Sequence, residues 1–292
     1  MVKKIFAYSY IYLILLLMYV PIIVLIIFSF SSDVYIGSFT EGFTFSLYGE
    51  LFNLANEDAR DIWVALGNTL IIAVISAAVA TILGTLGAVG AYYSKRRTRA
   101  VLENINQVPV VNAEIVMALS LVVMFVFIGN VIFRGANLFS FWTLLAGHVV
   151  LSAPFVYLNV KPRLVQMDPA LYEAALDLGC SPTTAIRKVM IPELIPGIIS
   201  GFMVAITLSL DDFIITAFTR GSGLLSGAKN IETLSTLVQA KIKKGPIPTL
   251  LRPLTTLIFI GVIGAVVLVT IYRNKTAYVK KSTSRAKFRE EA

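Results

Sequence analysis

Met167-Asp168-Pro169-Ala170-Leu171-Tyr172-Glu173-Ala174-Ala175-Leu176-Asp177-Leu178-Gly179-Cys180-Ser181-Pro182-Thr183-Thr184-Ala185-Ile186-Arg187-Lys188-Val189-Met190-Ile191-Pro192 is a polar, heavily punctuated stretch set between two long apolar runs. Asp168 is a good N-cap, and Pro169 suits the first helical position, where its missing N–H would be unpaired anyway. Residues 171–178 are mostly helix formers, and Gly179 fits the left-handed residue past a helix end. Ser181 then caps again with Pro182 behind it, and Pro192 is expected to stop the second helix. The stretch reads as helix, sharp turn, helix, and is too heavily specified for a passive connector. Its first helix presents Leu171, Ala174, Ala175 and Leu178 as an apolar stripe. That stripe suits a partner's groove or the chain's own helices, and local physics leaves both open.

The flanking sequence names the solvent. Of 292 residues, 57% are hydrophobic and only 14% charged, against roughly 25% charged in an ordinary soluble domain. Mean hydropathy is +0.81, so lipid is the expected surroundings. Apolar runs of the roughly 20 residues needed to cross a bilayer occur at about 5–28, 63–93, 108–128, 139–160, 195–218 and 251–272. The first has the basic start of a signal peptide in Lys3 and Lys4, but its apolar run is too long and no small-residue cleavage site follows, so it is read as an uncleaved helix.

Charge then sets orientation. Lys3, Lys4, Lys95, Arg96, Arg97, Arg99, Lys161, Arg163, Arg187, Lys188 and the C-terminal tail fall on one side of this six-span scheme, which the positive-inside rule makes cytoplasmic. The stretch 29–61 lies opposite and carries Asp33, Glu41, Glu50, Glu57, Asp58 and Asp61 against Arg60. The loop 219–250 fits less well, because it should be external yet holds Arg220, Lys229, Lys241, Lys243 and Lys244. Long late loops weigh less in topology, so six spans stand. The excess of 25 Lys and Arg over 17 Asp and Glu is thus a topology signal, not a nucleic-acid footprint. The single Cys180 excludes an intramolecular disulfide, and the single His148 excludes two-histidine zinc motifs; His148 reads as a hydrogen-bonded structural residue.

Small residues mark helix packing. Ser76, Ala80 and Gly84 recur every four residues in the second span, and Gly84, Gly87 and Gly90 every three; Gly197, Gly201, Ala205 and Ser209 recur every four in the fifth. Such stripes let backbones approach closely in lipid.

The pattern Glu173-Ala174-Ala175, Gly179 and Val189-Met190-Ile191-Pro192 resembles the Glu-Ala-Ala signature of bacterial ABC-importer permeases, with Val and Ile as shape-preserving substitutions. The resemblance implies an all-α membrane protein of six transmembrane helices, the type I importer permease fold with a cytoplasmic coupling helix, as one permease domain over 1–292. Its core of five helices would span about 62–272 and its coupling loop 161–192. In that family the loop docks on the ATPase, so Glu173, Ala174, Ala175, Gly179 and Pro192 inherit the coupling role. Tyr19-Val20-Pro21-Ile22-Ile23-Val24, Glu114-Ile115-Val116-Met117-Ala118-Leu119-Ser120-Leu121 and Thr207-Leu208-Ser209-Leu210-Asp211-Asp212-Phe213 look like the spermidine/putrescine permeases, of the C-type among that system's two permease subunits. Glu114 stands where those permeases carry Asp. The Ser-Leu-Asp-Asp run is shared with permeases for related amines and does not fix the substrate.

The resemblance therefore implies a non-catalytic subunit of an ATP-driven polyamine importer in a bacterial plasma membrane, with both termini cytoplasmic. Its partners would be a second permease, a dimer of ATP-binding subunits, an extracytoplasmic polyamine-binding protein and the bilayer, with no nucleic acid. No cofactor is expected in this chain, since ATP and Mg would sit on the partner ATPases. Ionisable residues inside spans are costly and usually face a cavity or partner, and a polycation needs negative charge along its path. Glu114, Asp211 and Asp212 are the candidates, with the alternative that water or Arg220 satisfies the two aspartates at a helix end. The run Gly221-Ser222-Gly223-Leu224-Leu225-Ser226-Gly227-Ala228-Lys229 lacks the Gly-Lys-Ser/Thr of a phosphate loop and reads as flexible loop. An importer for another organic cation is the alternative within the class. An ion-coupled secondary transporter is the alternative outside it, disfavoured by the Glu-Ala-Ala loop, and an intramembrane enzyme lacks a nucleophile–base pair.

Overall fold

The computed structural model describes residues 2–37, 39–40, 42–221, 231–243, 245, 248–264, 267 and 271, and among them there are helices and no strand. Among the described residues five helices are long and apolar enough to cross a membrane, and a shorter apolar helix, α12 (Leu251–Gly264), follows. The described residues form two compact units: one from residues up to Ile62 and from Lys241 onward, the other Trp63–Ala240.

In the first unit, α1 (Val2–Phe28) is apolar on every side, and its side chains from Tyr8 to Val20 are all exposed. That is the composition of a helix solvated by lipid. After it, Phe28 stacks on Phe39 and Phe39 on Phe43, with ring centroids 4.8 and 5.1 Å apart. A short helix, α2 (Ser46–Phe52), buries Leu47 and Leu51. At the start of α12, Arg252 is buried and donates to the backbone carbonyls of Asp33 and Val34 at 2.8 and 2.7 Å. Lys241 pairs with Asp58.

The second unit holds α3 (Glu57–Tyr93) from Trp63 on, α4 (Arg96–Val111), α5 (Glu114–Val131), α6 (Phe141–Gln166), α7 (Pro169–Asp177), α8 (Pro182–Ala185), α9 (Ile191–Asp211), α10 (Ile214–Thr219) and most of α11 (Leu234–Ile242). At 1.5 Å per residue, α3 is about 55 Å long and overshoots a roughly 30 Å hydrocarbon core. Its first turn is where Glu57 and Asp58 sit.

The small-residue stripes are where helices touch. A Cβ on Gly84 would meet Val156 Cβ at 2.7 Å and the Ala153 carbonyl at 2.8 Å; one on Gly201 would meet Val156 at 3.1 Å, and one on Gly197 the Arg163 Cγ at 2.8 Å. Ser76, Ala80, Ala205 and Ser209 are buried. So α3 and α9 both pack on α6 within the chain, and Val156 is fully buried at their junction. The every-three pattern packs closely only at Gly84: a Cβ on Gly87 would meet just the Tyr157 ring, at 3.9 Å, and one on Gly90 nothing within 4 Å.

Three element boundaries correct the sequence reading. The third span does not begin at residue 108. Instead α4 is a separate amphipathic helix that exposes Leu102, Ile105 and Val108 and turns Glu103 and Asn106 toward α6; it ends before Asn112 and Ala113, which are extended. Its apolar residues face outward at helical spacing, so they mimic the start of a span. Pro192 does not stop a helix. Residues 186–190 form a π-helical turn in which the Ile191 N–H bonds to the Ile186 carbonyl, and α9 continues through Pro192. The wider turn makes room for the ring that a regular helix would exclude. The fifth span is interrupted at Asp212 and Phe213, between α9 and α10. The last residues of the sixth span and residues 222–229 of the glycine-rich run lie outside the described residues.

Candidate functional site

The polar stretch folds as its caps require. Asp168 accepts from the Ala170 N–H at 3.0 Å, with Pro169 first in α7. Ser181 accepts from the Thr184 N–H at 3.4 Å, with Pro182 first in α8. Between them the Cys180 N–H bonds to the Ala175 carbonyl at 3.1 Å and the Gly179 N–H to the Leu176 carbonyl at 2.9 Å. This is the Schellman pair, which needs a left-handed residue at Gly179, and its φ is +85°. The apolar stripe of α7 divides. Ala175 is buried and Tyr172 packs inward, its ring 5.4 Å from that of Tyr93 on α3. Leu171, Glu173, Ala174, Leu178 and Gly179 are exposed, Leu178 at 86%. Of the residues singled out from the sequence, Glu173, Ala174 and Gly179 form an outward face, Ala175 holds the helix to its own chain, and Pro192 stands 13 residues beyond Gly179 on exposed helix.

Glu103 of α4 joins two basic residues, Arg99 on its own helix and Lys161 on α6. It accepts from Arg99 Nε at 2.9 Å and pairs with Lys161 Nζ at 2.9 Å. Hydrogen bonds from Lys161 and then Arg99 hold its carboxyl below the usual range. Asn106 reaches the Pro154 carbonyl at 3.4 Å, and Arg99 lies over the Tyr92 ring at 5.8 Å.

The three acids come together at two helix interruptions. Glu114 is the first residue of α5, just past the Asn112-Ala113 break, while Asp211 ends α9 and Asp212 follows it. The Glu114 carboxylate is within electrostatic reach of both aspartates. Glu114 and Asp211 are exposed, whereas Asp212 is buried.

Asp212 is held by its own chain. It accepts from the Ile215 N–H at 3.1 Å, the Thr216 N–H at 2.8 Å and the Thr216 hydroxyl at 2.9 Å, so it caps α10. Arg220 turns instead to Glu232, 3.8 Å away. Sequence reasoning left His148 without a role, and the structure gives it partners. It is fully buried on α6, with Nδ1 2.8 Å from the Ser209 hydroxyl and Nε2 2.9 Å from that of Thr216. Ser76 of α3 donates to Ser209 at 3.1 Å. Four helices thus meet on one polar chain, and no local pattern could show it, since His148 is 61 and 68 residues from its partners. Among the described residues no cluster of three or more metal-ligating side chains occurs.

Comparison with known proteins bears on this geometry. The spermidine/putrescine transport system permease protein PotC of Escherichia coli (strain K12) is 31% identical over 236 residues, covering 81% of this chain and 82% of that protein. Its counterpart in Haemophilus influenzae is 30% identical over 247 residues, covering 85% and 88%. The putrescine transport system permease protein PotI of Escherichia coli (strain K12) is 32% identical over 226 residues, covering 76% and 75%. Residues 80–284 match the family of binding-protein-dependent transport system inner membrane components. The chain belongs to that family: it is a multi-pass membrane permease subunit of an ABC importer, homologous to polyamine permeases.

Proposed function

We propose that this chain forms half of the translocation path of an ATP-driven importer for polyamines such as spermidine or putrescine, working as a single permease domain. It pairs with a second permease, a dimer of ATPase subunits and an extracytoplasmic polyamine-binding protein. It binds no nucleotide itself; ATP and Mg are held by the ATPase subunits. Both termini lie in the cytoplasm, on the side of the basic residues. The observation that carries the substrate class is the meeting of Glu114, Asp211 and Asp212 at two helix interruptions. An extended cation moving between helices needs negative charge that is not already neutralised, and Arg220 is drawn away to Glu232. The relatives named for spermidine and putrescine support the same reading.

Coupling runs through α7. The outward face of Glu173, Ala174 and Gly179 docks on the ATPase, with Ala175 and Tyr172 transmitting its displacement to α3 and α6 through their inward packing and Pro192 carrying it along the helix into α9. Rocking of the two permease halves then exposes the acids to one side and the other in turn. ATP hydrolysis by the reconstituted complex, with the binding protein loaded in turn with spermidine, putrescine, other amines and an amino acid, tests the reading. Stimulation by the polyamines supports it; stimulation by a different organic cation alone moves the chain to the alternative within the class.

A further inference from the structure

The polar chain on α6 has a direction. The single hydroxyl proton of Thr216 is committed to Asp212 at 2.9 Å, so Thr216 can only accept from His148 Nε2, at 2.9 Å. Nε2 therefore carries a proton. The His148 Nε2–Asp212 Oδ2 separation of 3.6 Å is too long for a direct hydrogen bond, which puts the hydroxyl between them. At the other side of the ring, Ser209 lies 2.8 Å from Nδ1 and 3.1 Å from Ser76, whose single hydroxyl proton has both Ser209 and the Ala73 carbonyl, at 3.2 Å, as acceptors. A neutral ring accepts the Ser209 hydroxyl proton at Nδ1. With His148 neutral, the run Ser76, Ser209, His148, Thr216, Asp212 is donor to acceptor at every step, ending on the one carboxylate.

Asp212 accepts three hydrogen bonds in the same network, from two backbone N–H groups and the Thr216 hydroxyl. Asp211, the preceding residue, is exposed. We propose that His148 is a positioning residue of the path: as a neutral bridge, acceptor at Nδ1 and donor at Nε2, it ties α9 to α10, fixes the interruption between them, and so aims Asp211 at the cation while Asp212 acts as the buried cap. This rests on the reading of the acids given above. It also predicts what can replace His148. A side chain that offers one acceptor and one donor without charge keeps the chain, and an apolar side chain of similar volume takes one partner from each of the Ser209 and Thr216 hydroxyls and breaks the link between α9 and α10.

The test is uptake kinetics of the reconstituted complex, beside the yield of assembled complex, for His148→Gln, His148→Leu, Thr216→Ser, Thr216→Val and Asp211→Asn. The expected result is uptake within about threefold of the natural chain for His148→Gln and Thr216→Ser, and a fall of at least about tenfold for His148→Leu and Thr216→Val. That fall lies in the apparent KM for the amine at unchanged assembly yield, and the double variant His148→Leu with Thr216→Val is no worse than either alone, because both break one chain. Losses that multiply in the double variant, or a fall confined to assembly yield, overturn the positioning role. So does full uptake by His148→Leu when Asp211→Asn is impaired. Full uptake by Asp211→Asn instead overturns the reading of the acids on which the proposal rests, whatever His148→Leu does.

Discussion

Replacing Gly179 with valine is the sharpest perturbation of the coupling turn. Gly179 has φ +85°, and a Cβ built there meets nothing within 4 Å. Steric clash with neighbours therefore contributes nothing, and the whole penalty is backbone strain. Holding a residue with a side chain in the left-handed region costs of order 1–3 kcal/mol, with β-branched residues at the upper end. If the strain is relieved by opening the turn, the two Schellman bonds, of about 1 kcal/mol each, are lost instead. Either way the docked geometry is disfavoured by roughly 10- to 100-fold at 1.4 kcal/mol per factor of ten. Because Ala175 and Tyr172 still pack inward, the membrane helices are untouched. Gly179→Val is expected to insert normally, as read by a blot of the membrane fraction, and to lose ATP-driven uptake. Gly179→Asn, whose side chain tolerates the left-handed region, should fall between. Normal uptake by Gly179→Val, or equal loss in both variants, would refute the argument.

Three further outcomes follow from the same geometry. Gly84→Ala puts a Cβ 2.7 Å from Val156 and 2.8 Å from the Ala153 carbonyl, whereas Gly90→Ala meets open space; thermal unfolding in detergent should show Gly84→Ala destabilised by about 1–3 kcal/mol and Gly90→Ala near neutral. Asp212→Asn keeps one acceptor but places an amide against the Ile215 or the Thr216 N–H, so it should lower both uptake and thermal stability, the latter by about 1.5–3 kcal/mol for the one charge-assisted bond it must lose; Asp211→Asn should lower uptake alone. A cysteine at Tyr35, 73% exposed, should react with an impermeant thiol reagent in intact cells, while Cys180 should react only after permeabilisation; labelling of Cys180 from outside would invert the topology.

The parts that the sequence made legible are those set by local rules. Asp168, Pro169, Gly179, Ser181 and Pro182 each carry a backbone preference that nothing tertiary opposes, and they stand where those preferences put them. The stripe Gly197, Gly201, Ala205, Ser209 was legible because close approach of helices in lipid requires small residues at one face. What was not legible depends on neighbours. The apolar end of α4, residues 108–111, leads toward α5 with no charged residue between, and the extended Asn112 and Ala113 are what separate the two helices. Pro192 reads as a helix stop until the π-helical turn before it supplies the missing room. The inward packing of Tyr172 is decided by Tyr93, nearly eighty residues away in sequence. The role of His148 is invisible without Ser209 and Thr216, and the start of α5 at Glu114 is not legible until α4 is recognised as separate.

ATP-driven uptake by the purified four-part complex in proteoliposomes tests the central claim most directly. With ATP inside and the binding protein and labelled spermidine or putrescine on the other face, the account predicts uptake that needs both ATP and the binding protein and stops with vanadate. Uptake that persists with vanadate and collapses when the ion gradient is dissipated would contradict it and make the chain an ion-coupled carrier.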